Sequence, residues 1–248
     1  MNLNNYLGGI ALTEIKKLAE MVEKSRSIVF FGGAGVSTES GISDYRSVNG
    51  LYYQKFKYPP EVMLSHSFFV SHTEEFFDFY RAKMICPDAK PNAAHIRIAQ
   101  LEAEGRLSAV VTQNIDGLHQ EAGSKNVLEL HGSVHRNSCT KCKKAFDARF
   151  ILQSEGVPKC ECGGVVKPDV VLYEEPLNDD TVMRAVNAIA EADMLIIGGT
   201  SLAVYPAAGM VNYYKGSRLV VINRSQTPMD KNADLVINDS IGAVLSQI

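Results

Sequence analysis

Four cysteines offer the most specific chemistry in this chain: Cys139-Thr140-Lys141-Cys142 and Cys160-Glu161-Cys162 form two close pairs, separated by a stretch long enough for a turn of ribbon. Four thiolates carried on two knuckles are the ligand set of a tetrahedral zinc site, and Gly163 and Gly164 relieve the second knuckle sterically. A site closed by four thiolates leaves no open coordination position, so the metal is expected to be architectural. The C-x-C pair is tighter than the usual two-residue spacer and strains its chelate loop. A degraded site without metal, or two chance reduced pairs, is the plainer alternative. The fifth cysteine, Cys86, stands apart and is expected to be an ordinary thiol.

A second chemistry starts where the apolar run Ser27-Ile28-Val29-Phe30-Phe31 enters Gly32-Gly33-Ala34-Gly35-Val36-Ser37. A buried strand running into clustered glycines is where backbone amides approach a pyrophosphate with no Cβ in the way. The cluster lacks the full G-x-G-x-x-G register. Asp44 and Arg46, just downstream, could grip ribose and phosphate oxygens. Taken alone, an ordinary strand-to-helix turn with a surface ion pair accounts for the segment equally well.

Other polar residues also follow apolar runs. Thr112-Gln113-Asn114-Ile115-Asp116-Gly117-Leu118-His119 follows Leu107 to Val111, and its Asn and Asp can hydrogen-bond an amide and a ribose hydroxyl. The commoner fate of such residues is to cap a helix or face solvent. His131-Gly132-Ser133 ends the run Val127 to Leu130, and a histidine at a sheet mouth is a general-base candidate because its unperturbed pKa lies near neutrality. Gly198-Gly199-Thr200-Ser201 and Asn223-Arg224-Ser225 follow two further runs. Each is a turn or cap by itself, but several converging on one sheet edge point to a ligand site.

The elements that must hold these residues alternate. Strand-length apolar runs occur at Ile28 to Phe31, Leu107 to Val111, Val127 to Leu130, Val170 to Tyr173, Met194 to Ile197, Arg218 to Ile222 and Leu235 to Ile237. Helical patterns cover roughly 13 to 25, with Thr13 as N-cap, then Asn92 to Glu104, Asp180 to Glu191 and Pro206 to Tyr213. Continuous β-branched runs alternating with helices predict an α/β fold, a doubly wound parallel sheet of about seven strands. Two stretches break the rhythm. The Phe- and Tyr-rich segment from Asp44 to Cys86 predicts helices on their own small core, and Cys139 to Cys162 fits no strand-helix unit. The expected division is a Rossmann-like domain of residues 1–43, 87–133 and 168–248, a helical module at 44–86, and a zinc ribbon at 134–167.

The 248 residues are 46% hydrophobic and carry a net charge of −3, enough for a large core and too acidic for a nucleic-acid stripe. No basic n-region precedes an apolar segment, and no run is long enough to span a bilayer. The chain is expected to be cytoplasmic and monomeric, without nucleic acid or membrane as partner.

Together, Gly33-Ala34-Gly35-Val36-Ser37, Ser40 to Arg46, Thr112 to Asp116, His131-Gly132, the four cysteines, Gly199-Thr200-Ser201-Leu202 and Ile222-Asn223 resemble the sirtuins in order over nearly the whole chain. The resemblance implies an NAD-dependent protein-lysine deacylase, with NAD as co-substrate on the sheet domain and structural zinc in the smaller one. Acyl-lysine protein substrates would thread the cleft between them. By the same resemblance Gly33, Ala34, Gly35, Ser37, Asp44, Tyr45 and Arg46 belong to the cofactor loop region, Gln113 lies on the ribose, and Asn114, Ile115 and Asp116 surround nicotinamide. Gly199, Thr200, Ser201, Asn223 and Arg224 would hold phosphates and the adenosine ribose. The implied catalytic set is His131, Asn114 and Asp116: the acyl oxygen attacks C1′ of the nicotinamide ribose, and His131 serves as general base on the ribose hydroxyls. Products are nicotinamide, free lysine and 2′-O-acyl-ADP-ribose. Val171, Tyr173 and Glu174 resemble the strand that pairs with the substrate backbone.

The chain departs from the family pattern at a few positions. Tyr173-Glu174-Glu175 replaces the usual Phe-Gly-Glu, and the extra carboxylate is expected to favour basic residues flanking the lysine. Ser43 replaces proline and is expected to loosen the cofactor loop, Tyr45 replaces phenylalanine, and Lys167 stands where arginine is frequent. Phe77 and Tyr80 occupy the places of the Tyr-x-x-Arg pair that meets acidic acyl groups, so acetyl or longer apolar groups are favoured, with Phe69, Phe76 and Phe77 lining a deeper channel. A sirtuin-type ADP-ribosyltransferase and a non-catalytic NAD-sensing module are the alternatives.

Overall fold

The central β-branched runs of the sheet are buried on both faces because successive side chains point to opposite sides, each side covered by helices. Along the strand Ile28–Gly32, Ile28 and Phe30 enter one core while Val29 and Phe31 enter another, and all are buried. The computed structural model of the chain describes residues 6–7, 10–44, 50–51 and 56–248.

In chain order the elements are β1 (Tyr6–Leu7), β2 (Ile10–Ala11), α1 (Leu12–Glu23), β3 (Ile28–Gly32), α2 (Pro60–Met63), α3 (His66–Ser71), α4 (Thr73–Lys83) and α5 (Ala93–Ala103). There follow β4 (Leu107–Thr112), α6 (Leu118–Glu121), β5 (Val127–Glu129), β6 (Gly132–Cys139), β7 (Ala145–Phe146), α7 (Ala148–Gln153) and β8 (Val166–Val170). The chain ends with α8 (Asp179–Glu191), β9 (Met194–Gly198), a 3-10 helix (Ala207–Tyr213), β10 (Leu219–Ile222), β11 (Leu235–Ile237) and α9 (Ile241–Leu245).

The central sheet is parallel, in the order β11-β10-β9-β3-β4-β5. One face packs on α1, α5 and α9 through Leu18, Val22, Ile98, Leu101 and Val244. The other packs on α8 and the 3-10 helix through Ala185, Ile189, Met210 and Val211. Six strands form this sheet, where about seven were expected. The run Val170 to Tyr173 does not join it: Val166–Val170 pairs antiparallel with β6 in a three-stranded ribbon, and Val171 to Tyr173 leaves that ribbon toward α2 and α3. Its amides find partners there, Val171 on the His131 carbonyl at 2.9 Å and Tyr173 on the Leu64 carbonyl at 3.0 Å. A β-branched run records half-burial, and burial alone does not say in which sheet.

Two further expectations change. Thr13 lies inside the first turn of α1, which begins at Leu12, and so does not precede the helix as its N-cap. The helical module also has no core of its own: Phe68, Phe76, Phe77 and Tyr80 share one cluster with Ile151, Val166 and Cys139 of the ribbon and with Leu172. Neither piece is large enough to bury its aromatic surface alone. No helix among the described residues is long and apolar enough to cross a membrane.

Two histidines, His95 and His119, are buried beside the sheet. His95 accepts the Asn92 amide N–H on Nδ1 at 3.2 Å, closing a capping box at the start of α5. The His119 ring lies 4.7 Å from the His95 ring and 5.9 Å from that of Phe30. Burial lowers His119 from 6.5 to about 3, with His95 adding to the shift. Burial lowers His95 from 6.5 to about 4, against the opposing field of Asp116. Both are neutral when folded, so their contribution to stability is complete above pH 6.5. It declines as the pH falls from 6.5 toward these lower values, because the unfolded chain takes up protons that the folded one refuses. Denaturant titrations should show unfolding free energy falling by roughly 1–2 kcal/mol per pH unit below 6.5. His119→Leu should flatten that slope, and a wild-type stability constant between pH 7 and 5 would contradict the assignment.

Candidate active site

The register of the sheet delivers the polar residues to one line. Gly32 pairs with Gly198 on one side and Thr112 on the other, Gly198 pairs with Ile222, and Thr112 pairs with Glu129. The residues that follow, Gly33, Gln113, Gly199 and Asn223, therefore emerge side by side at the C-terminal ends of the strands. His131 arrives just beyond β5. The chain winds away from β3 in both directions, through β4 and through β9, which makes the gap between β3 and β9 the switch point where such sheets open a crevice.

Backbone packing shapes that crevice. The Gly35 amide donates to the Gly199 carbonyl at 2.8 Å. A Cβ on Gly35 would lie 2.8 Å from Gly199 Cα, and one on Gly199, whose φ is +59°, would lie 2.4 Å from the Val36 nitrogen. Only glycine permits this approach at both positions. The result is a pair of loops, free of side chains at their junction, lining a cleft of about 980 Å³.

Almost every residue singled out from the sequence lines this cleft. Gly33, Ala34, Gly35, Ser37 and Asp44 come from the first loop, Gln113, Asn114, Ile115 and Asp116 from the second. His131 and then Val171, Tyr173 and Glu174 also line it, and Gly199, Thr200, Ser201, Asn223 and Arg224 complete the edge. Tyr45 and Arg46 lie outside the described residues.

Hydrogen bonds lock the polar groups to one another. Ser37 Oγ donates to Asp116 Oδ2 at 2.6 Å and accepts from Asn114 Nδ2 at 3.1 Å, while Asp116 Oδ1 accepts the Leu118 amide at 3.0 Å. Gln113 Nε2 donates to Thr200 Oγ1 at 3.0 Å, bridging the two halves of the sheet. The amide of Asn114 is held by Thr112 Oγ1 at 3.0 Å, so its side chain is aimed before any ligand arrives.

His131 Nδ1 lies 3.0 Å from the Gln113 carbonyl. A carbonyl only accepts, so Nδ1 carries the proton and Nε2 keeps its lone pair free. Burial lowers the imidazole pKa below 6.5, against the opposing pull of the Gln113 carbonyl. A neutral ring at pH 7 with an open Nε2 is equipped to accept a proton. Gly132 makes the position possible: its φ is +76°, and a Cβ there would fall 1.9 Å from the Asp169 carbonyl oxygen.

The four cysteines meet at the far end of the ribbon, with all four sulfurs within 4.8 Å of one another. Cys139 Sγ lies 3.5 Å from Cys162 Sγ and Cys142 Sγ 3.6 Å from Cys160 Sγ. These separations are far longer than a disulfide and close to the ~3.8 Å edge of a tetrahedron with 2.3 Å zinc–sulfur bonds. The amides of Cys142 and Lys141 point at Cys139 Sγ and hold its thiol down to about 6. A Cβ on Gly164 would sit 2.6 Å from Cys139 Sγ, so the second knuckle needs glycine there. The donor set fits zinc, and Cys139, Cys142, Cys160 and Cys162 would hold it as a clamp between β6 and β8.

The expected deep channel lined by Phe69, Phe76 and Phe77 is absent among the described residues. These rings are 7%, 0% and 0% exposed, pack edge-on against one another in the core shared by the helices and the ribbon, and do not line the cleft. The apolar wall of the cleft instead includes Leu64, Ile85, Ile115, Val134 and Leu172. Helical spacing marks these aromatic residues as buried but does not say against which neighbour. Two lining residues carried no functional signal in the sequence. His135 Nε2 lies 2.8 Å from the Asp116 carbonyl, clamping the ribbon to the second loop. Cys86 also lines the cleft, with its thiol pKa raised by burial and then by Asp116.

The Sir2 family model matches residues 33–206. An NAD-dependent protein deacetylase of Clostridium acetobutylicum is 63% identical over 243 residues, covering 96% of this chain and 99% of the relative. A solved Sir2 complex with a deacetylated p53 peptide and 3′-O-acetyl ADP ribose superposes with a TM-score of 0.87 at 39% identity, over 94% of this chain and 96% of the other. A Sir2 structure bound to acetylated peptide matches with a TM-score of 0.82 at 38% identity, over 93% of this chain and 95% of the other.

Elemental analysis should find one zinc per chain. Cys139→Ser, at a buried ligand, should reduce this to near zero and lower the melting temperature by about 5 °C or more. A zinc-free preparation with unchanged melting would remove the architectural role.

Proposed function

The chain belongs to the Sir2 family and is an NAD-dependent protein deacetylase, and on that premise we propose how its cleft divides the work. The residues at the sheet edge hold NAD: Gly33, Ala34, Gly35, Asp44, Tyr45 and Arg46 from the first loop, Gln113 on the ribose, and Gly199, Thr200, Ser201, Asn223 and Arg224 along the remainder. Asn114, Ile115, Asp116 and Ser37 surround the nicotinamide end, where an amide donor and a carboxylate acceptor suit a carboxamide. Fit is supported by the side-chain-free junction of Gly35 and Gly199, which a Cβ on either residue would fill. When bound, NAD supplies an electrophilic ribosyl carbon and the hydroxyl that carries the acyl group away.

His131 accepts a proton on Nε2, while the Gln113 carbonyl holds the ring in the tautomer that leaves Nε2 open. Asn114 is the orienting donor, and Asp116 fixes it through the shared Ser37 hydroxyl. The acyl-lysine substrate runs along Val171, Tyr173 and Glu174, pairing its backbone with peptide groups of this segment other than the Val171 and Tyr173 amides, which bond within the protein. The helical module and the ribbon, together with the run through Tyr173 that pairs with them, act as one unit over the parallel sheet, with the cleft between the two. The pocket is for acetyl or other apolar acyl groups: Phe77 and Tyr80 stand where an acid-binding pair would be, and Leu64, Ile85, Ile115, Val134 and Leu172 line the cleft. The observation that carries this reading is the neutral His131 ring, held by Gln113 beside Asn114 and Asp116 at the sheet's switch point.

Mass spectrometry of acetyl-, succinyl- and myristoyl-lysine peptides, with and without NAD, tests it. The expected result is NAD-dependent loss of acetyl with equimolar nicotinamide and O-acetyl-ADP-ribose, and little change in the succinyl peptide. ADP-ribose attached to protein, or NAD binding without turnover, would overturn the reading. His131→Ala should lower kcat by about 10²–10⁴-fold while NAD affinity is retained. Because the active base is neutral and its pKa is depressed, kcat/KM should hold as the pH falls to 6.5 and drop only below that value. An acid limb centred above 6.5 would exclude His131 as that base.

A further inference from the structure

We infer that the substrate polypeptide has a second binding place outside the cleft, a groove on the helical module that receives a lysine or arginine flanking the acyl-lysine. The inference rests on the proposed peptide segment Val171, Tyr173 and Glu174 and extends it.

The groove, about 580 Å³, is walled by α2, α3 and that same peptide segment. Tyr173 and Glu174 line both it and the main cleft, so a chain lying along Tyr173 in the cleft passes directly into the groove as it leaves. At ~3.3 Å per extended residue, rounding one aromatic side chain takes roughly three to five residues.

The lining says what would fit. Its apolar surface is made by Tyr58, Val62, Phe68 and Tyr173, of which Val62 is 41% and Tyr173 39% exposed. The serine hydroxyls are already engaged: Ser65 Oγ donates to the Val62 carbonyl at 2.8 Å and Ser71 Oγ to the Ser67 carbonyl at 2.7 Å. Two carboxylates, Glu61 and Glu174, stand on the lining. Of the nearby basic side chains, Lys57 lies over the Tyr58 ring and pairs with Glu75 at 3.7 Å, the His72 ring stacks on Phe68 with centroids 4.7 Å apart, and His66 Nδ1 lies 2.8 Å from Glu175 Oε1. An apolar floor with carboxylates above it matches a long aliphatic stem ending in a positive charge.

Glu174 is built into this wall. Its φ is +75°, a conformation rare outside glycine, and its Oε2 accepts the Ser67 amide at 2.9 Å and the Ser67 hydroxyl. These bonds fix the carboxylate between cleft and groove and keep it ionised, so a cation meets a charge already in place.

The test uses the intact protein and acetyl-lysine 15-mers with alanine flanks, each carrying one arginine or one glutamate at two to six positions on either side of the lysine. Arginine at one or two of these positions should raise kcat/KM about fivefold through KM, glutamate should lower it, and 0.5 M salt should erase the difference. Glu61→Gln should remove the arginine preference and Glu61→Lys should reverse it, with the alanine-flanked peptide turned over at the wild-type rate by both. Equal kcat/KM for arginine, alanine and glutamate at every position would overturn the proposal, as would an arginine preference that survives Glu61→Lys. Failure of the alanine-flanked peptide to react in the wild type would instead overturn the deacetylase site itself, and the groove's role with it.

Discussion

The contact between Gly35 and Gly199 is the constraint on which the site depends. It forms where β3 and β9, adjacent and in register, leave the sheet in opposite topological directions. Two backbones meet there closely enough for the Gly35 amide to donate to the Gly199 carbonyl. A side chain on either residue would push the loops apart. The bond from Gln113 to Thr200 then crosses the same gap, so the two halves of the edge are held at one separation. Such preformed spacing is what a ligand with two charged or polar ends requires, because little ordering is left to be done on binding.

From that edge the structure passes to the smaller unit through few connections. His131 ends the sheet side and Gly132 begins the ribbon side, so the candidate base sits on the joint itself. The His135 ring reaches back to the Asp116 carbonyl, and the Val171 amide to the His131 carbonyl. The ribbon and the helical module then share one core, clamped at its far end by the four cysteines. Glu175 ties this unit to the peptide segment through Lys167 at 3.1 Å and His66 at 2.8 Å. Lys167 makes that tie with a single ammonium group. Through Glu175 the ribbon, α3 and the segment after β8 are thereby tied to one another.

Much of this was legible in the residues. The alternation of β-branched runs with helical patterns specified a parallel sheet, since strands covered on both faces must be apolar on both. Glycines and polar residues directly after those runs marked the edge, because parallel strands place all their C-terminal ends together. Two cysteine pairs at chelating spacing stated their own chemistry. Local errors came where one pattern serves two purposes: Val170 to Tyr173 reads as a sheet strand although its amides bond to the ribbon and to α2, and Thr13 reads as a cap although the helix starts before it.

What the sequence determined by itself was therefore composition and order: which segments are strands, which loops carry polar groups, and which thiols can share an ion. Only the tertiary structure decided neighbours that are remote in the chain. It buried Phe69, Phe76 and Phe77 in a shared core and left them off the cleft lining, placed Cys86 and His135 on the cleft wall, and set Glu174 on the lining of both cleft and groove. Periodicity encodes how deeply a side chain is covered, because that depends on one face of one element. Which atoms cover it depends on how separate elements pack, and no local pattern carries that.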